Sequence, residues 1–265
     1  MHFSILGSGS SGNCVLVAAG GTTLLVEAGL SLKETRARAC QVGIQLGGLA
    51  AILVTHEHAD HVLHASRLSL ALNAPVIMNA ATRRAASRFL DGDEAWVGFE
   101  SGSTFRVGAI EVEAVRKPHD AAEPVAFVLR HGGAALGIFT DLGHADDAVL
   151  GALSRCNALF IEANHDPVLL ERGPYPPSLK HRVGGRLGHL CNDDSARAVA
   201  AAAPSLGVLV LGHISAKNNT TAHVRRSFIR QTGRSPGYGR WLSVQHRPTP
   251  LLSVRGEVIR PVATT

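Results

Sequence analysis

The segment Thr55-His56-Glu57-His58-Ala59-Asp60-His61-Val62 places three imidazoles and one aspartate carboxylate within six consecutive residues. Neutral imidazole nitrogens with carboxylate oxygens, and no thiolate, suit Zn²⁺, Mn²⁺ or Fe²⁺. His56 and His58 lie two apart, so on an extended chain they point to one side and can share an ion. Asp60 and His61 follow where a helix would start, and adjacent helical residues diverge by roughly a quarter turn, which suits a second ion. A lone histidine is more often packing or surface than ligand; this density of donors makes metal binding the stronger reading.

These donors follow the apolar run AILV (51–54), and similar runs recur: FSIL (3–6), CVLVA (14–18), TLLV (23–26), PVIM (75–78), IEVEAV (110–115), VAFVL (125–129), LGIF (136–139), ALFI (158–161), LGVLVL (206–211) and LLSV (251–254). They have strand length and are mostly continuous rather than alternating, as expected of strands covered on both faces. Between them, Leu32–Val42, His61–Leu72, Ala80–Phe89, Asp146–Leu153, Asp193–Ala203 and Thr220–Gln231 read as helices, which predicts an α/β architecture with helices outside packed sheets. Five runs end on a polar residue: Glu27, His56, Asp141, Glu162 and His213. A chain surfacing at a strand end accounts for any one of these, but in α/β sheets ligands bind beyond the carboxyl ends of strands, so five together predict one shared pocket.

Composition narrows the class. The chain has 265 residues, 14 histidines and 4 cysteines. With no low-complexity linker or internal repeat, a single domain over 1–265 is expected. The scattered cysteines argue against a secreted disulfide framework and for a reducing, cytoplasmic compartment. The charge-free stretches Met1–Val26 and Ala198–Ala216 are broken by GSGSSGN and by Pro204 and Gly207, so neither a signal peptide nor a membrane span is expected. The net charge of +5 is uneven: residues 213–265, the basic carboxyl-terminal part of the domain, hold nine basic residues against Glu257 alone. There Arg225, Arg226, Arg230 and Arg234 partly share a helical face, interspersed with Phe228, Tyr238 and Trp241, a composition able to hold a phosphate backbone and stack on a base. Aromatics in the core and arginines on a solvated rim would give the same composition.

His-x-His-x-Asp-His after an apolar strand resembles the metal signature of the metallo-β-lactamase-fold hydrolases, and the likeness runs along nearly the whole chain. His119 in KPHDAAEP (117–124), Asp141 in FTDLG (139–143) and His213 in LGHIS (211–215) stand where that superfamily places its next histidine, its bridging aspartate and its last histidine. The resemblance implies a four-layer αββα sandwich with two divalent ions. His56, His58 and His119 would hold one and Asp60, His61 and His213 the other, with Asp141 shared. Zn²⁺ or Mn²⁺ is expected, with Fe²⁺ also compatible. A hydroxide bridging the ions would be the nucleophile of a hydrolysis, with about one unit of positive charge left to meet an anionic substrate. Asp60, Asp141 and His189 are the candidate catalytic residues, His189 as a proton donor or phosphate-orienting group.

Within that family, GSGSSGNC (7–14), NHDP (164–167), GPYPPSLKHRVGGRLGHLCND (173–193) and GHISAKNN (212–219) look like the YycJ/WalJ-like branch, which is associated with 5′-to-3′ exonuclease activity on DNA. Ser10, Asn13, His165, Lys180, Arg182, Arg186 and Asn218 are the corresponding candidates for substrate or phosphate contact. Glu27 stands where the superfamily usually has Asp, and Cys191 where the branch tends to have Ser. The expected partner is DNA. The alternatives are a small-molecule hydrolase acting on a thioester or lactone, in the manner of glyoxalase II, and a metal-binding protein without turnover.

Overall fold

The computed structural model describes residues 1–203, 206–232, 239–243 and 245–259, with the backbone alone at 239–241. Arg234, Tyr238 and Arg260, and the side chains of Arg240 and Trp241, lie outside the described residues.

The chain enters a first sheet with β1 (His2–Gly7), β2 (Cys14–Ala19), β3 (Thr22–Val26), β4 (Ala51–Leu53), β5 (Val76–Ile77) and β6 (Trp96–Val97). It then builds a second with β7 (Thr104–Val107), β8 (Ile110–Arg116), β9 (Val125–His131), β10 (Ala134–Phe139), β11 (Ala158–Glu162), β12 (Val208–Gly212) and β13 (Gly239–Leu242). Finally β14 (Leu251–Ser253) returns to pair with β1 and carries β15 (Val258–Ile259) at the edge. The first sheet reads β15-β14-β1-β2-β3-β4-β5-β6 and the second β13-β12-β11-β10-β9-β8-β7. The helices are α1 (Leu32–Gln41), α2 (Ala59–Val62), α3 (Ala65–Leu72), α4 (Ala80–Ala85), α5 (Asp147–Leu153), α6 (Pro167–Arg172), α7 (Pro177–Val183), α8 (Asn192–Ala202) and α9 (Thr221–Thr232).

Side chains alternate across each strand, and the alternation sorts them into layers. Val15, Val17, Leu24, Val26 and Leu53 meet Phe127, Leu129, Ile138, Phe160 and Val210 between the sheets. Their neighbours Leu16, Leu25 and Ile52 pack outward with residues of α1 and α3, while Leu159, Ile161 and Leu209 pack outward with residues of α5, α8 and α9. This is the four-layer αββα sandwich, and it is why the central strands lack polar alternation. Truncating Phe127, fully buried at the middle, should cost about 3–5 kcal/mol. β7 and β8, towards one edge of the second sheet, do alternate: on β8, Glu113 faces outward and pairs with Arg130 and Arg155, each at 2.6 Å.

Each sheet has an antiparallel part and a parallel part, and the parallel parts position the site. Val26 is level with Leu53, Phe139 with Ile161, and Ile161 with Leu211. The residues after these strands therefore emerge together at one end of the sandwich. Two expectations change in detail. The predicted helix 61–72 is split into α2 and α3, with His58 at the N-cap of α2 making no capping bond. The stretch 167–183, read from sequence only for its motifs, contains α6 and α7, both opened by proline at the first turn, where its missing N–H costs nothing.

Candidate metal centre

Three imidazoles converge above β4. His56 Nε2 lies 3.1 Å from His58 Nδ1, which lies 3.2 Å from His119 Nε2. Their partners settle which nitrogen faces inward. Thr55 Oγ1 donates its only proton to Glu27 Oε1 at 2.6 Å, so it must accept from His56 Nδ1 at 2.8 Å, leaving the His56 Nε2 lone pair free. His119 Nδ1 donates to the Gly188 carbonyl at 3.1 Å, with the same result at its Nε2. Burial holds His119 at about 4 and His56 well below its ordinary value, so both rings are neutral near pH 7. Lone pairs converging on one spot without a proton between them fit a cation.

A second group adjoins the first. Asp60 Oδ2 is 3.5 Å from His61 Nε2 and 3.7 Å from His213 Nε2. Asp141 lies between the groups, with Oδ2 3.0 Å from His61 Nε2, and Oδ1 3.2 Å from His213 Nδ1 and 4.0 Å from His119 Nε2. Despite these close approaches Asp141 Oδ2 and His213 Nδ1 make no well-aligned hydrogen bond, a costly condition for buried atoms unless a cation uses them. Against the opposing effect of burial, Asp141, Asp60 and Glu162 raise His213 to about 10, and Asp141 and Glu27 push His61 well above its ordinary value. A site that holds imidazoles charged in this way demands positive charge, and its nitrogen and oxygen donors fit divalent metal ions.

The loops that carry these donors are tightly held. Asn13 receives Gly9 N–H at 2.9 Å and donates to Asp60 Oδ2 at 3.0 Å; Asn13 N–H donates to the Asp60 carbonyl at 2.8 Å and Ala28 N–H to the His61 carbonyl at 2.7 Å. A side chain at Gly29 would meet the Asp60 carbonyl oxygen at 1.8 Å, so only glycine lets the two loops touch. Glu27, Asp141 and His213 all have left-handed backbones (φ 72°, 55° and 49°), a strain of about 1–3 kcal/mol each, located at the strand ends that bear the donors. Glu162 offsets it at one: its fully buried carboxylate accepts from Asp141 N at 3.2 Å, Leu142 N at 2.8 Å and Leu190 N at 2.7 Å. His189 Nδ1 donates to the same group at 3.0 Å; despite burial, His189 and His213 hold Glu162 at about 2. At His213, the N–H donates to Ser8 Oγ at 2.6 Å and the carbonyl accepts from Asn164 at 2.9 Å.

A cavity of about 330 Å³ opens over the donors, lined by His58, Asp60, Asp141, His189 and His213. Of the seven substrate candidates, Ser10 and Arg182 line it. Arg182 Nε donates to Asp120 Oδ2 at 2.5 Å, and Asp120 Oδ1 stands 3.3 Å from His119 Nε2. Asn13 sits behind Asp60. The other four are not among the lining residues. His165 is buried, its Nδ1 has no hydrogen-bond partner and its carbonyl receives Asn192 N–H at 2.9 Å. Lys180 Nζ donates to the Glu171 carbonyl at 2.6 Å, tying α7 to α6, and Arg186 lies against His144. Asn218 is fully buried, its carbonyl receiving Asp166 N–H at 3.0 Å. On α9, Phe228 is core, Arg230 pairs with Asp193 at 2.5 Å, and Arg225 and Arg226 are exposed. Cys191 caps α8, and burial raises its thiol to about 11.

Glu162 was marked in the sequence only by its strand-end position, with no role assigned to it; the structure makes it the acceptor that holds Asp141, Leu142, His189 and Leu190. Asp120, beside His119, and Tyr175, in the cavity wall, carried no signal by spacing.

A family model described as the beta-lactamase superfamily domain matches residues 22–214, a span that contains every donor from Glu27 to His213. Exodeoxyribonuclease YycJ of Bacillus anthracis is 36% identical over 243 residues, 90% of this chain and 91% of that protein. Exodeoxyribonuclease WalJ of Streptococcus pneumoniae is 33% identical over 242 residues, 88% of each chain. Among solved structures, the metallo-beta-lactamase fold protein YhfI from Bacillus subtilis superposes with a TM-score of 0.72 at 16% identity, covering 94% of this chain and 98% of that one. The chain therefore belongs to the beta-lactamase superfamily, in its YycJ/WalJ-like branch.

Proposed function

We propose that this chain is a dinuclear metal-dependent phosphodiesterase that removes nucleotides from DNA ends, in the 5′-to-3′ direction. The observation that carries the reading is the 36% identity to an exodeoxyribonuclease across 90% of the chain, joined to a donor set suited to divalent cations at the floor of a small cavity. In this reading His56, His58 and His119 would hold one ion and Asp60, His61 and His213 the other, with Asp141 within reach of both groups. Such ions, Zn²⁺ or Mn²⁺ with Fe²⁺ also compatible, supply a water acidic enough to attack near neutral pH and stabilise negative charge on the phosphate.

The chain's own residues do the rest. Asp60 and Asp141 fix the charge of the centre and the orientation of the histidines around it. His189 is anchored through Nδ1 to Glu162, so Nε2 is the nitrogen left to meet substrate and to carry a proton to the leaving oxygen. Arg182 and Ser10, on the cavity wall, hold phosphate oxygens. The exposed Arg225 and Arg226 meet the nucleic-acid backbone further from the centre. Residues 1–265 act as one domain in this reading, because β14 near the carboxyl terminus pairs with β1. Among the described residues no helix is long and apolar enough to cross a membrane, and the four cysteines are free, in keeping with a reducing cytoplasm.

The test is to incubate metal-loaded protein, beside a His58→Ala control, with end-labelled single- and double-stranded DNA and a panel of thioesters. Stepwise loss of nucleotides from DNA, abolished in the control, is the expected result. Control-sensitive thioester cleavage with intact DNA would replace the nuclease reading by the small-molecule one.

A further inference from the structure

The cavity has a second character besides its donors. Its remaining wall includes Tyr175, Leu179, Val183 and Ile214, and among the described residues Tyr175 carries the one phenol, phenyl or indole ring that lines it. We propose that Tyr175 is the stacking platform for the base of the terminal nucleotide whose phosphate meets the metal centre. This rests on the nuclease reading and deepens it: a cavity of about 330 Å³ is at the small end of ligand pockets, so it admits one nucleotide and requires its base to be unpaired.

The local sequence builds a rigid support for that ring. Tyr175 lies between Pro174 and Pro176, with Pro177 opening α7. A residue before proline is confined to extended backbone, and proline fixes its own φ, so little freedom remains to be lost on binding. The strap that bears it is held at both ends. A side chain at Gly173 would meet Asn218 Oδ1 at 2.2 Å, so this turn sits directly on a buried residue. Lys180 ties α7 to the Glu171 carbonyl at 2.6 Å and Arg182 ties it to Asp120 at 2.5 Å. Tyr175 itself is half-buried and lines the cavity. The apolar residues Leu179 and Val183 share α7 with Arg182, and the cavity that Tyr175 lines also holds histidines and aspartates of the metal centre. A nucleotide has a matching division: an anionic phosphate at one end and a flat aromatic base at the other. Stacking on one aromatic ring accepts every base, as an enzyme that strips successive nucleotides requires.

The test uses metal-loaded protein and a single-stranded oligonucleotide with 2-aminopurine as its terminal nucleotide, joined by a phosphorothioate that resists cleavage. Wild type and Tyr175→Phe should quench the fluorescence, whereas Tyr175→Ala and Tyr175→Leu should not. On cleavable DNA, Tyr175→Ala should raise KM about tenfold with a smaller change in kcat. Removing the base is the complementary measurement, and it needs no variant: an abasic terminal nucleotide should raise the wild-type KM about tenfold, and should add nothing in Tyr175→Ala. Equal KM for normal and abasic ends in wild type, or undiminished quenching in Tyr175→Ala and Tyr175→Leu, overturns the stacking role even if DNA is degraded. A wild type that neither binds the oligonucleotide nor degrades DNA overturns the nuclease reading and the stacking role together.

Discussion

The buried donors of the metal centre and the basic side chains of the surface are built on opposite terms. His56, His61, His119, Asp141 and His213 are buried, held by hydrogen bonds from several loops, and in two cases carried on left-handed backbone. Lys180 and Arg182 on α7, and Arg225 and Arg226 on α9, are surface side chains with long stems and few partners. The contrast follows from what each must do. Ligand atoms must converge to within a few tenths of an ångström, which only over-determined, buried geometry secures. Phosphate contact, the role proposed for Arg182, Arg225 and Arg226, needs reach and tolerance, which flexible surface side chains provide.

The largest effect should come from breaking the buried side. His56→Ala, or chelation of the wild type, should lower hydrolytic activity at least ~100-fold, read together with metal content by elemental analysis. An active His56→Ala protein with its full metal content would erase the distinction drawn above.

Next comes Glu162→Ala, which leaves the N–H groups of Asp141, Leu142 and Leu190 without their acceptor. Loss of about 3–5 kcal/mol in urea unfolding is expected, against about 0.5 kcal/mol or less for Lys180→Ala at the rim. The same cluster makes the metal-free protein sensitive to pH. His213 is raised to about 10, so its contribution is full below about pH 6.5 and lost as pH rises through about 10. Glu162 is lowered to about 2 and His119 to about 4, so their contributions are lost as pH falls, below about 6.5 for His119 and below about 4.5 for Glu162. Thermal unfolding of chelated protein should therefore peak near pH 6.5, and a flat profile from pH 4 to 9 would contradict the placement of these charges.

A milder change probes the boundary between the two regions. Glu27 reaches Thr55 Oγ1 at 2.6 Å and lies 3.1 Å from His61 Nδ1; Glu27→Asp shortens that reach and should weaken metal affinity about tenfold in a chelator competition. Smallest is the rim: replacing Arg225 and Arg226 by alanine should leave metal content unchanged and flatten the dependence of log DNA affinity on log salt by about one unit per arginine. An unchanged slope would take α9 out of the nucleic-acid path.

Much of the buried side was legible from sequence. The apolar runs marked the central strands, and the strand endings His56, Asp141, Glu162 and His213 stand among the converging side chains, because strand periodicity and strand termination are local properties; His58, Asp60 and His61 stood out by spacing, and His119 only through the family resemblance. The edge strands β6, β13 and β15 were not legible; they are two to four residues long and exist through pairing with neighbours distant in sequence. The rim was the less legible side. Lys180, Arg182 and Arg186 look alike in sequence, yet Arg182 lines the cavity, Lys180 braces α6 and Arg186 lies against His144.

By itself, the sequence determined the chemistry available: which donors exist, their spacing, and the strands that deliver them to one end of the sheets. Only the tertiary structure decided which ring nitrogen faces inward, that Glu162 rather than a neighbouring strand-end residue clamps Asp141 and His189, and that Tyr175 enters the cavity wall. Those outcomes depend on the register between strands and on contacts between loops far apart in the chain, and neither is encoded in the spacing of any one segment.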